Sequence, residues 1–198
     1  MYQTLLSAVV WLALCRCFWL LVGLIRLIPV HSRAKTRKWG LTEVLTMAEL
    51  PLFFAVTFHF FSQVPAPSSP GVLAWLAAVA GVFLALAGVG ISLWSVYTTY
   101  RAGIILDTGH YIKKGHKLIT AGAYGFVRNP MYLGVLLLWL GMAIGFKNSV
   151  VLLIAVLYVG PVLLMYIRSE EPMLLQEFGE EYESYRDRVG MILPRWSP

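Results

Sequence analysis

The chain has 198 residues, of which 59% are hydrophobic and 13% charged, with a mean hydropathy of +0.71. So little charge cannot cover the surface of a soluble domain of this size, and apolar runs long enough to cross a bilayer exclude that class. The net charge of +6 does not point to nucleic acid, because the basic residues flank the apolar runs, where anionic headgroups are the natural counterions.

The expectation is an all-α integral membrane protein: one domain over residues 1–198, a bundle of about five transmembrane helices. The first span runs from about Leu5 to Ile28, with no basic region ahead of it and no cleavage site, so it reads as retained rather than as a removed signal. Cys15 and Cys17 lie two apart on this helix and point to different faces, which implies neither disulfide nor metal. Arg16 is a charge within the span, and its expected partner is Glu49 or His59 of the second, about Leu41 to Phe61. The third covers roughly Val72 to Tyr97, the fourth Met131 to Phe146 and the fifth Val150 to Ile167. The fourth is short, about 24 Å at 1.5 Å per residue. With the turn Gly145 to Ser149 it forms a C-terminal helical hairpin with the fifth, and Gly134, Gly141 and Gly145 permit close backbone approach.

Connector charge sets the orientation. Residues 31–38 carry four Lys/Arg and residues 101–128 carry five, and Arg168, Arg186, Arg188 and Arg195 follow the fifth span. The Pro/Ser-rich stretch 62–70 carries none. The positive-inside rule then puts the N-terminus outside or in the lumen and the C-terminus in the cytosol. Beyond the last span, Met173 to Val189 is amphipathic: Leu174, Leu175, Phe178, Tyr182, Tyr185 and Val189 recur at helical spacing, as in a cytosolic helix packed on the bundle or lying along the interface.

Two polar clusters fall at the cytosolic face. In Arg128-Asn-Pro-Met-Tyr132, Pro130 favours an extended Asn129 and starts a helix, so backbone N–H groups and the positive dipole end meet Arg128 and Tyr132. In Arg168-Ser-Glu-Glu-Pro172, the adjacent carboxylates Glu170 and Glu171 need a cation, which a ligand ammonium, Arg168 or Arg128 across the hairpin supplies. Antiparallel neighbours bring these clusters together. A helix N-terminus, an Arg, a Tyr and two carboxylates around one volume suit a zwitterionic ligand such as an amino-acid moiety, with His116 and Tyr124 as the other wall.

The pattern HKLITAGAY…RNPMYLG, followed by EEPMLLQEFGEEYESY, resembles the isoprenylcysteine carboxyl methyltransferases, within a broader set of membrane methyltransferases that includes phospholipid N-methylating enzymes. The likeness covers about Gly115 to Val189. It implies S-adenosylmethionine as methyl donor, held by His116, Lys117, Leu118, Ile119, Tyr124, Asn129, Pro130, Met131, Tyr132 and Glu170, with Glu171 beside them. Arg168 and Arg128 are the expected catalytic side chains. A lipid-like or prenylated acceptor would enter sideways from the bilayer; membrane lipids are the other partners, and no metal is implied. The membrane would be the endoplasmic reticulum in a eukaryote and the plasma membrane in a bacterium.

Two positions depart from the family pattern. Asn129 stands where eukaryotic members usually have His, and an amide cannot titrate. Tyr166 stands in the register of an acceptor-binding Arg, with Arg168 two residues on and rotated by about 200°. A phenolic lipid, a thiol or a phospholipid amine therefore remain as acceptors. An amine or phenol would need a proton acceptor, for which His110, His116 and Glu171 are the candidates. The rival class is a non-catalytic membrane subunit or a small transporter. Polar residues concentrated at one face argue against transport.

Overall fold

The computed structural model describes residues 1–27, 41–62, 70–102 and 117–195. Connector 31–38, His110, His116 and Trp196 lie outside them. Every element among the described residues is helical: α1 (Tyr2–Leu27), α2 (Leu41–Ser62), α3 (Val72–Arg101), the single turn α4 (Ala123–Phe126), α5 (Pro130–Gly145), α6 (Ser149–Ile154), α7 (Gly160–Phe178) and α8 (Glu180–Arg188). A π-helical turn, Ala155–Val159, joins α6 to α7, so Ser149–Phe178 is one continuous rod. Two helices, Val72–Arg101 and Ser149–Phe178, are long and apolar enough to cross a membrane. Tyr2–Arg16, Met47–Phe60 and Pro130–Gly145 are shorter apolar stretches.

The largest interface joins α3 to α5, and its cause is a stripe of small residues. Ala78, Gly81, Ala85, Gly88, Ser95 and Thr99 are buried on α3, at steps of three, four and seven that keep one face turned to the partner. Opposite them lie Gly134, Gly141 and Gly145 of α5. A Cβ on Gly88 would stand 2.6 Å from the Gly134 carbonyl oxygen, so the two backbones touch directly. The expectation that these glycines serve the α5–α6 hairpin is corrected here. The glycines face α3, which among the described residues presents the matching small-residue stripe. The other face of α3, with Leu76, Phe83, Leu86 and Tyr97, is exposed.

The turn into α6 places Lys147 at φ 52°, while the Asn148 side chain accepts from the Val151 N–H at 3.0 Å and caps the helix. Trp139, Phe53, Leu138, Met142 and Val9 fill the core between α1, α2 and α5. Within it Arg16 pairs with Glu49 at 2.9 Å, and Glu49 also accepts from the Trp139 indole N–H at 2.7 Å. The Arg16 guanidinium lies over the Phe53 ring, 4.0 Å from its centroid. Of the two partners expected for Arg16, the structure pairs it with Glu49. From the π-turn, Tyr158 donates to the Leu45 carbonyl of α2 at 2.8 Å.

Residues 173–189 do not form a single amphipathic helix. Helix α7 runs on to Phe178, and Gly179 at φ 50° turns the chain into α8. A left-handed conformation is cheap for glycine and ends the helix there.

Candidate functional site

The site is built where the start of α5 meets the end of α7. Pro130 at the first helical position starts α5, and Asn129 before it is non-helical, as the residue preceding a proline should be. The Tyr132 hydroxyl donates to Glu170 at 3.1 Å, and the Tyr132 and Tyr166 rings meet edge-on at 5.7 Å. One residue along, Arg128 pairs with Glu171 at 2.7 Å. The two clusters separated in sequence thus meet as two parallel links, Tyr132–Glu170 and Arg128–Glu171.

Arg128 does more than neutralise Glu171. Its Nη1 donates to the carbonyls of Arg186 and Val189, both at 2.8 Å. These are among the last carbonyls of α8, which have no partner within the helix, and a cation there also complements the dipole. The main chain continues the contact: Arg128 N–H to Gly190 carbonyl at 2.8 Å, and Asn129 N–H to Met191 carbonyl at 3.1 Å. The Asn129 side-chain amide donates to the same Met191 carbonyl at 3.1 Å. Arg128 Nε is buried without a hydrogen-bond partner.

Beside these links opens a cleft of about 180 Å³, lined by Lys117, Leu118, Ile119, Tyr124, Arg128 and Asn129 on one side. Leu174 and Phe178 of α7 and Tyr182 and Tyr185 of α8 form the other. Tyr124 is fixed at both ends. Its hydroxyl accepts from Ser95 of α3 at 3.1 Å, and its carbonyl accepts from the Tyr185 hydroxyl at 2.7 Å. Burial raises the Tyr124 phenol above its ordinary 10.0; the Ser95 hydrogen bond works against this, and the Glu170 charge adds to it. Burial likewise raises Tyr182, with Glu171 adding to it, and raises Tyr185 against the opposing pull of Arg128. The aromatic wall therefore stays neutral.

Of the residues expected to hold a ligand, Lys117, Leu118, Ile119, Tyr124 and Asn129 line the cleft, as does Arg128. Tyr132, Glu170 and Glu171 form the linked cluster next to it, close enough for the Glu170 charge to act on Tyr124. Pro130 is buried as the helix start and Met131 is half-buried after it. Arg168 is exposed on α7. His116 precedes the described residues, and its place relative to the cleft is not described. Sequence reasoning placed residues 168–189 in the cofactor region but singled out none of Leu174, Phe178, Tyr182 and Tyr185, all four of which line the cleft. Their shared apolar face was the available signal, but it does not distinguish a packed wall from a ligand wall. Ser95 gave no signal, because its role depends on where Tyr124 folds back.

Among the described residues every element is helical, two helices are long and apolar enough to cross a membrane, and an aromatic, polar-edged cleft opens where the start of α5 meets α7 and α8. The sequence profile of the phospholipid methyltransferase family matches residues 76–181, more than half of the chain, which belongs to that family. A probable protein-S-isoprenylcysteine O-methyltransferase of Oryza sativa subsp. indica is 32% identical over 120 residues, 61% of this chain and 62% of that one. A protein-S-isoprenylcysteine O-methyltransferase of Schizosaccharomyces pombe is 36% identical over 81 residues, 41% of this chain and 34% of that one. A methanethiol S-methyltransferase of Pseudomonas deceptionensis is 36% identical over 72 residues, 36% of this chain and 26% of that one. The chain thus spans between a quarter and just over three fifths of these relatives' lengths. They bear out the resemblance to isoprenylcysteine methyltransferases.

Proposed function

We propose that the chain is a membrane methyltransferase that takes its methyl group from S-adenosylmethionine and passes it to a lipid-modified acceptor of the isoprenylcysteine carboxylate type. The observation that carries the reading is the cleft, whose residues from Lys117 to Phe178 fall inside the stretch that matches the family. Its chemistry fits the donor. Tyr124, Phe178, Tyr182 and Tyr185 offer flat apolar faces for a purine, while Glu170 offers negative charge to an ammonium or a sulfonium. Asn129, Lys117 and the first N–H groups of α5 supply donors for a carboxylate.

In this reading the bundle has five spans, with the cleft facing the cytosol, where the donor is made, and α5 and α6–α7 as the final hairpin. When bound, the donor supplies an electrophilic methyl group on sulfur. The chain's part is to orient and to exclude water, which accounts for much of the acceleration in an in-line displacement. Glu170, held by Tyr132, fixes the polar end of the ligand. Arg168, exposed on α7 two residues before Glu170, is the cation available to an acceptor carboxylate. A carboxylate acceptor needs no general base. A thiol acceptor is the second reading, favoured by the relatives named methanethiol S-methyltransferase and by Tyr166 near the cluster.

The test is S-adenosylmethionine binding by the purified protein, repeated with Glu170→Ala and Tyr132→Ala. Binding by the intact protein, weakened by both changes, is expected. An intact protein that does not bind ends the enzyme reading, whereas binding indifferent to both changes ends the placement of the site. Base-labile methyl incorporation into a farnesylcysteine analogue identifies the ester, and base-stable incorporation into a thiol identifies the second reading.

A further inference from the structure

We propose that residues 180–191 are a latched wall of the cleft, that Arg128 is the latch, and that ligand binding and latch closure stabilise each other. The coupling rests on the donor reading above; the latch itself rests on contacts alone.

The two sides of the cleft are attached differently. Tyr124 is tied to α3 through Ser95, and Arg128 and Asn129 lead directly into α5, which is locked against α3 backbone to backbone. That side is part of the rigid bundle. The α8 side follows Gly179, at φ 50°, where a Cβ would meet nothing within 4 Å. The side-chain space at this joint is open, and the hydrogen bonds that tie α8 to the bundle lie towards its far end. Glu180, Glu181 and Glu183 are exposed, and only Tyr182 and Tyr185 of α8 are buried.

The fastenings converge on three residues. Tyr185 reaches the Tyr124 carbonyl, Arg128 takes the carbonyls of residues 186, 189 and 190, and Asn129 takes that of Met191 twice. Tyr124, Arg128 and Asn129 all line the cleft. The same guanidinium also holds Glu171 of α7, so one side chain ties both ends of the Gly179 joint to the start of α5. The fastening is incomplete, since Arg128 Nε is buried without a partner.

Reciprocity follows. A ligand that contacts both walls binds the closed form better, so it must favour closure, and closure must favour the ligand by the same factor. Arg128 is then a positioning residue, acting on the ligand through the wall it holds.

The test is hydrogen exchange of the full chain in detergent, with S-adenosylhomocysteine as probe. Without ligand, Arg128→Gln should speed exchange across residues 180–191 by about tenfold, with α3 and α5 unchanged. Tyr185→Phe removes one fastening and should shift the same segment less, which guards against a variant that fails to fold. In the intact protein the probe should slow exchange across 180–191, and Arg128→Gln should bind it roughly tenfold more weakly. Unchanged exchange of 180–191 in both ligand-free variants overturns the latch. Probe binding without added protection there overturns the coupling. An intact protein that does not bind the probe overturns the donor reading and the coupling together, and the ligand-free arm still decides the latch.

Discussion

Replacing Glu49 by Leu should be among the most damaging single changes in the bundle, and replacing Arg16 as well should repair most of the damage. The pair is buried, with side-chain exposures of 10% and 7%, and lies 2.9 Å apart. In Glu49→Leu the guanidinium keeps only the Phe53 face, 4.0 Å away, worth about 1 kcal/mol. An orphaned buried charge costs roughly 3–5 kcal/mol. The Trp139 N–H, 2.7 Å from Glu49, loses its acceptor for about another 1–3 kcal/mol. In Arg16→Met/Glu49→Leu the charge is gone and only the indole term remains, about 1–3 kcal/mol. The double variant should therefore be more stable than Glu49→Leu by about 3 kcal/mol. At roughly 2–4 °C per kcal/mol for a chain of this size, the single change lowers the melting temperature by on the order of 10–20 °C and the double by about 5 °C. The assay is the fraction of detergent-purified protein that remains monodisperse after heating. A double variant melting as low as Glu49→Leu would refute the reasoning, since the loss would then not come from the unpaired charge.

Gly88→Ala should destabilise by roughly 1–3 kcal/mol, because its Cβ would stand 2.6 Å from a backbone oxygen that no rotamer change can move. Gly90→Ala on the same helix, where a Cβ meets nothing within 4 Å, should be neutral or slightly stabilising in the same melt. Tyr132→Phe removes the 3.1 Å donor to Glu170 and should weaken S-adenosylmethionine binding about five- to tenfold by calorimetry; unchanged affinity would separate Glu170 from the ligand. Tyr124, Tyr182 and Tyr185 all titrate above the ordinary phenol value of 10.0 when folded. The unfolded chain then gives up their protons first, so stability is full below pH 10 and falls as pH rises beyond it. Tyr185→Phe should flatten that fall in melts taken between about pH 9 and 11, and a fall of unchanged steepness would mean that Tyr185 does not contribute.

The sequence made the ends of the site legible for identifiable reasons. Pro130 fixes where α5 begins, and antiparallel succession brings Glu170 and Glu171 towards it; Arg128 was one of the cations expected for them, whereas the Tyr132–Glu170 hydrogen bond was not foreseen. Arg16 demanded a partner, and Glu49 was one of two within reach. The remainder depended on information that a single helix does not carry. Glycines at 134, 141 and 145 announce a close approach but do not name the neighbour, which the stripe from Ala78 to Thr99 decides. The apolar face shared by Leu174, Phe178, Tyr182 and Tyr185 survives a break at Gly179, because the turn there folds both halves onto one cleft. Periodicity alone joined them into one helix.

The π-turn at Ala155–Val159 has a consequence for the carboxylates far beyond it. A π-turn holds one residue more than the α-helical path would, so it advances the angular phase of everything downstream by about 100°. Glu170 and Glu171 lie on the same unbroken rod, about three turns further on. Their azimuth, and hence which of Tyr132 and Arg128 each one meets, is set by that extra residue rather than by anything local to the cleft. Losing one residue from the turn would rotate both carboxylates off their partners while leaving every side chain of the site in the sequence. The hydrogen bond from Tyr158 to the Leu45 carbonyl, made from within the turn, pins that phase to α2.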